Sequence, residues 1–184
     1  MKIPIILSIL LVTAISIDMR TYRTHIHNPN VGSVVKTPKT TIPMADLPDN
    51  YDWGNVDGVN YLTIQRNQHI PVYCGSCWAF SAASALSDRI KIQRKAKFPD
   101  VIIAPQVLIS CEEPDQGCHG GDARTANEWI HNNNITDETC SPYQAFGHDN
   151  GVGCSAQIKC KNCLPGRGCW AQENAKIYGV EEYG

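Results

Sequence analysis

The clearest periodic stretch in the chain is Trp78 to Gln93, WAFSAASALSDRIKIQ. Trp78, Ala82, Ala85, Leu86, Arg89 and Ile90 recur at spacings of three and four. The run holds no Gly or Pro, so it predicts a helix with a buried face. Ala104 to Cys111 predicts a second, shorter helix, with Pro105 tolerated in its first turn. Asp122 to Asn132 predicts a third, with Asp122 as its N-cap. Cys140 to Trp170 has five cysteines, several Gly and Pro, and no period, so disulfides rather than a core must hold it.

Two segments precede this helical region. After Met1-Lys2, Ile3 to Ile17 is an apolar run. It falls short of the roughly twenty residues that cross a bilayer. It fits the apolar core of a signal peptide cut after Ser16, in the small-x-small triplet Ala14-Ile15-Ser16. Asp18 to Asp46 is polar, carries Pro29, Pro38 and Pro43, lacks Cys and shows no period. At Leu47 the character changes, and Tyr51, Trp53, Val56, Val59 and Tyr61 follow in quick succession. The reading is therefore a signal peptide over 1–16, a pro-segment over 17–46 and a folded domain over 47–184. No other apolar run approaches membrane length, so no membrane association is expected after signal removal.

Composition narrows the function. The 184 residues carry a net charge of −2, with 18% charged and 42% hydrophobic residues. That excludes a strongly basic nucleic-acid binder, an acidic tail protein and a disordered chain. Nine cysteines lie between Cys74 and Cys169. A secretory route is oxidising, so most should be paired, and an odd count leaves one thiol outside the pairs. If that one is Cys77, the other eight allow 105 pairings, and the sequence does not choose among them. Asn134-Ile135-Thr136 is an N-glycosylation acceptor reachable on the same route.

The chemistry concentrates at Cys74-Gly75-Ser76-Cys77-Trp78. Cys77 falls either just before the Ala-rich helix or as its first residue. Unpaired amide N–H groups and the helix dipole favour negative charge there, and the thiolate is the nucleophilic form of cysteine. Gly75 permits a tight turn, and Ser76 leaves room for a substrate chain. A C-x-x-C redox site is the competing reading. Against it, no strand–helix–strand pattern surrounds the motif, and Trp78 follows it where thioredoxins have the Trp before. Cys160-x-x-Cys163 has zinc-like spacing but no paired His ligands, so no metal or cofactor is expected.

Three strings together resemble the papain family of cysteine peptidases: Leu47 to Gly58, LPDNYDWGNVDG; Asn67 to Phe80, NQHIPVYCGSCWAF; and Ser110 to Gly121, SCEEPDQGCHGG. The resemblance covers about Ala45 to Gly184. It implies an α+β, two-domain fold, of which this chain holds mainly the helical left domain; the β-barrel-like right domain is missing. It implies Cys77 as nucleophile and Gln68 as an oxyanion-hole donor beside the Cys77 backbone N–H. It also implies that the Gly120-Gly121 backbone binds substrate. The implied disulfides are Cys74–Cys118, Cys111–Cys154, Cys140–Cys160 and Cys163–Cys169. The residues alone also allow Gly120-Gly121 a plain role as the turn entering the third helix. The implied partners are peptide or protein substrates, in the lysosome or outside the cell.

Three departures from the family pattern matter. Gln68 and Cys77 stand nine positions apart where most members have six, and the extra residues include His69-Ile70-Pro71. In the family's carboxypeptidase branch a matching H-I-P loop closes the leaving-group side of the cleft, and its histidine binds the substrate's terminal carboxylate. A histidinium at that position pairs with a carboxylate. The second departure concerns the general-base histidine and its asparagine, which the family carries roughly 130–150 residues beyond the nucleophile. Gly184 precedes that region, so the sequence reads as a truncated form, inactive alone. Third, the segment 17–46 lacks the cysteine that blocks the nucleophile in related zymogens, so latency would be noncovalent. His25 and His27 lie in the expected pro-segment, and His119, His131 and His148 read as solvated surface residues. The remaining alternatives are a papain-like endopeptidase and a non-catalytic, disulfide-stapled binding module.

Overall fold

A computed structural model describes residues 31–36, 43 and 46–184. The expected signal peptide and much of the expected pro-segment therefore lie outside the described residues. Among the described residues, four α-helices and one hairpin make up the regular structure: α1 Cys77–Gln93, α2 Pro105–Cys111, α3 Ala123–Asn133, α4 Ala156–Lys159, β1 Lys161–Leu164 and β2 Gly168–Ala171. Single 3₁₀ turns span Gly117–His119 and His148–Asn150.

α1 is the axis of the core. Ala79, Ala82 and Ala83 are buried, and their small side chains let α2 and α3 pack closely against the helix. Trp78, Leu86, Val107, Leu108, Ile109, Ala126 and Ile130 fill the space between them, joined by Ile103 and Ile135 from the connecting segments, each of which makes a single antiparallel bridge. Every residue of α2 is buried, which suits its uniformly uncharged sequence. The buried hydroxyl of Ser87 in α1 donates from Oγ to the Ala83 carbonyl and accepts from the Ile103 N–H. Asp122 caps α3 by accepting from the Arg124 N–H at 2.8 Å, as its sequence position predicts.

Residues 140–171 are less irregular than their composition suggests. α4 is capped by Ser155, whose hydroxyl accepts from the Ile158 N–H, and the β1–β2 hairpin pairs Cys163 with Cys169 directly across its strands. The four disulfides are Cys74–Cys118, Cys111–Cys154, Cys140–Cys160 and Cys163–Cys169, the same pairs that the family resemblance implied. Cys160 and Cys163 each bond to a different partner, and so does Cys74 of the C-x-x-C motif. Val34 and Tyr183 exchange both main-chain hydrogen bonds, at 2.8 and 3.0 Å, so the described piece of the expected pro-segment lies along the chain at Tyr183. Among the described residues no helix is long and apolar enough to cross a membrane.

Candidate active site

Cys77 is the first residue of α1 and lies outside the four disulfides. It is half-buried, while the residues before and after it are buried. The loop that delivers it is tied down at several points. Cys74 is bonded to Cys118, and the Gly75 N–H donates to the Cys118 carbonyl at 2.7 Å. Trp78 Nε1 donates to the Gly117 carbonyl at 3.0 Å. The start of α1 is thus fastened to the Gly117–Gly121 strip from both sides of Cys77.

Gln68 and Cys77 line one open depression of about 310 Å³ along the side of α1. The Gln68 carboxamide is oriented by its Nε2 donating to the Cys74 carbonyl at 3.1 Å. That bond uses one amide hydrogen and leaves the second for another acceptor. The Gln68 main-chain carbonyl accepts from the Tyr143 hydroxyl at 2.7 Å, and Ser76 Oγ lies 2.7 Å from the same hydroxyl. Sequence reasoning missed Tyr143. Its only signal is an aromatic residue after a proline in the cysteine-rich stretch, which nothing local connects to Gln68.

His69 is exposed on the inserted loop. Its ring stacks on Tyr73 at 4.2 Å with 14° between planes, and its backbone N–H is held by the Asn67 side chain at 2.9 Å. The Cys74 N–H donates to His69 Nδ1 across a long 3.4 Å. Nδ1 is therefore an acceptor, and the hydrogen of the neutral ring is on Nε2. The sequence reading asked for a histidinium; this geometry also presents a neutral N–H donor.

Gly120 and Gly121 are both buried. Gly120 has φ +115°, a region that side chains rarely adopt. A Cβ on Gly121 would meet Trp78 Cδ2 at 2.6 Å and Asp115 Cγ at 2.7 Å. The pair does enter α3 through the Asp122 cap, so the helix-entry role is filled. Only glycine also lets this strip pack on the Trp78 ring.

Behind the strip lie Glu112, Asp115 and Asp122, all buried. The Asp115 N–H donates to Glu112 Oε2 at 2.9 Å, and the Asp122 N–H donates to Asp115 Oδ1 at 3.1 Å. Burial first, then the neighbouring Asp115 charge, pushes the Glu112 carboxyl up to about 8. Burial raises Asp115 to about 6, against the lowering effect of the Asp122 N–H. The two titrate as a unit. Glu112 Oε1 and Asp115 Oδ2 find no other hydrogen-bond partner among the described residues, and one shared proton suits both. Two histidines expected at the surface are partly buried and bonded: His131 Nδ1 to the Val180 carbonyl at 2.7 Å and His148 Nε2 to the Asp115 carbonyl at 3.1 Å. His119 is exposed but pairs with Asp149, whose carboxylate also accepts from the Cys118 N–H. Asn134 is exposed at the C-cap of α3, while Thr136 is buried and its hydroxyl donates to the Lys159 carbonyl.

Residues 47–182 match the model of the papain family cysteine proteases. The chain is 45% identical over 139 residues to cathepsin Z of Onchocerca volvulus, a match covering 76% of this chain and 44% of that protein. It is 34% identical over 118 residues to cathepsin K of Mus musculus, covering 64% of this chain and 32% of that one. Among solved structures, the digestive procathepsin L2 proteinase from Tenebrio molitor larval midgut is alike in fold. Its TM-score is 0.59 at 24% identity, over 77% of this chain and 44% of that one. The chain spans less than half the length of these relatives.

Proposed function

The chain belongs to the papain family of cysteine proteases, and on that footing we propose that the whole protein is a peptidase whose nucleophile is the Cys77 thiolate. One observation carries the reading. The cysteine outside the disulfides opens a 17-residue helix and shares a depression with an oriented carboxamide. The thiolate attacks the scissile carbonyl carbon, and the carbonyl oxygen becomes an oxyanion. The second Gln68 amide hydrogen and the Cys77 backbone N–H receive that charge, a contact worth about 10²–10³ in rate per donor. Collapse expels the leaving amine, which takes up a proton, and water then releases the acyl group. The proton donor is proposed to be a histidine, oriented by an asparagine, in the part of the relatives' length that this chain does not span.

Carboxypeptidase action is the preferred form of this activity. The loop carrying His69 is three residues longer than the usual pattern, and its histidine is exposed and braced by Tyr73 and Asn67. A ring with hydrogen on Nε2 donates to a terminal carboxylate, whose negative charge strengthens the bond. Gly120-Gly121 would bind the acyl-side chain through their backbone. Substrates are peptides or proteins, and four disulfides support a secretory route to the lysosome or outside. Residues 1–16 are proposed as the leader, 17–46 as the latency segment and Asn134 as a glycosylation site. The test is to label the complete mature protein with a thiol-directed epoxide and map the peptides by mass spectrometry. Label on Cys77, with turnover lost in Cys77→Ala, supports the reading. Label elsewhere in the oxidised protein, or unchanged turnover in Cys77→Ala, overturns it.

A further inference from the structure

We propose that Tyr143 is a positioning residue for the oxyanion hole: its hydroxyl fixes both ends of the loop from Gln68 to Ser76 and holds Ser76 away from the start of α1. The inference rests on the peptidase reading above and adds a residue to it.

The direction of the hydrogen bonds follows from valence. The Gln68 main-chain carbonyl only accepts, so the Tyr143 hydroxyl donates to it, at 2.7 Å. Its proton is then spent. Ser76 Oγ, 2.7 Å from the same oxygen, must therefore be the donor to Tyr143. Burial pushes the Tyr143 hydroxyl above its ordinary range, which keeps that proton in place.

Ser76 occupies the N-cap position of α1, where a serine hydroxyl ordinarily accepts from an N–H of the first turn. It does not do so here, and its φ of −104° and ψ of 24° lie outside the extended region usual for a cap. The contact to Tyr143 turns the hydroxyl aside. No side-chain cap then competes with a reacting anion for the N–H groups of that turn.

The ring itself is well held. Phe80, in the first turn of α1, meets Tyr143 edge-on at 4.7 Å. The Arg66 guanidinium lies 5.0 Å from the Phe80 ring centre and is bonded to Glu138 at 2.6 Å. The loop that Tyr143 closes leads into Cys77, nine positions beyond Gln68, and contains His69. A longer loop has more freedom to lose, and an oxyanion donor works only if it is placed before reaction. One clamp at the base of the loop sets the Gln68 donor and the inserted histidine together.

The test uses the complete mature protein, with active sites counted by epoxide titration. Tyr143→Phe keeps the ring and removes the clamp. It should lower kcat per titrated site about tenfold, the scale of one hydrogen bond, with KM within about twofold. The affinity of a peptide aldehyde, whose adduct places an oxyanion in the hole, should fall by the same factor. In a Gln68→Ala background, Tyr143→Phe should add less than about twofold, because it acts through Gln68. Ser76→Ala, which keeps the Tyr143–Gln68 bond, is the second variant and should show the same dependence on Gln68 with a smaller loss. If Tyr143→Phe lowers only Tm or the number of titratable sites, with kcat per site unchanged, the inference is wrong. The same holds if the effects of Tyr143→Phe and Gln68→Ala simply multiply. If the wild-type protein cleaves no peptide, the peptidase reading has failed. Amide exchange over 68–76 then decides the clamp: faster exchange in Tyr143→Phe upholds it, and unchanged exchange overturns it.

Discussion

Gln68 donates one hydrogen of its side-chain amide to the main-chain carbonyl of Cys74, at 3.1 Å. The amide cannot flip without losing that bond, so the second hydrogen has a fixed direction. Gln68→Ala is therefore expected to lower kcat by about 10²–10³ while leaving KM within a few fold, because the contact forms with the oxyanion and not with the ground-state carbonyl. Steady-state kinetics on the complete mature protein checks this. A variant with raised KM and unchanged kcat would show that Gln68 binds substrate instead.

Gly121 packs directly on Trp78. With 2.6 Å between a would-be Cβ and the indole, Gly121→Ala must push the ring or the strip aside. The expected cost is about 1–3 kcal/mol of stability, as for other overpacked core sites. Thermal unfolding monitored by Trp fluorescence measures it. An unchanged Tm would show that the strip is looser than the packing indicates.

The buried acids give a pH dependence with a definite sign. Glu112 and Asp115 both titrate above the ordinary carboxyl range, to about 8 and about 6. The folded protein thus keeps protons that the unfolded chain releases. The stability they confer is complete below about pH 4, and is lost as pH rises through 6 and then 8. The charges facing the pair are Asp122, Glu128 and His148. Tm should fall between pH 5 and about pH 8.5, and Glu112→Gln, which cannot ionise, should flatten that fall. Equal slopes in the two proteins would contradict the assignment.

The helices were legible because their signals are local. The three- and four-residue spacing in Trp78–Gln93 and the Asp122 cap placed α1 and α3 to within a residue. Cys77 was legible for the same reason, standing in a short motif at a helix start. The hairpin at Lys161–Ala171 was not, since its strands are four residues each, largely exposed, and held by a disulfide rather than by alternation. Tyr143 and the Glu112–Asp115 pair were not either. Tyr143 is 75 positions from Gln68, and the run Cys-Glu-Glu-Pro-Asp looks like surface until packing buries Glu112 and Asp115 and leaves Glu113 exposed. Burial of a charged side chain is decided by distant residues, which no local pattern reports. His69 was found as an insert, but its tautomer depends on the Cys74 N–H and needed the geometry.

The proposed activity is that of a Cys77 peptidase that recognises a free carboxyl terminus through His69. It is tested most directly by one comparison of kcat/KM on paired peptides, identical except for a C-terminal acid or amide, in the complete mature protein and in its His69→Ala variant. A charge-assisted hydrogen bond of about 1.5–3 kcal/mol corresponds to roughly ten- to a hundredfold in rate. Amidation and His69→Ala should each cost about that factor. Combined, they should cost little more than either alone, because both delete the same contact. Equal cleavage of acid and amide by the wild-type protein would contradict the account and leave a papain-like endopeptidase in its place.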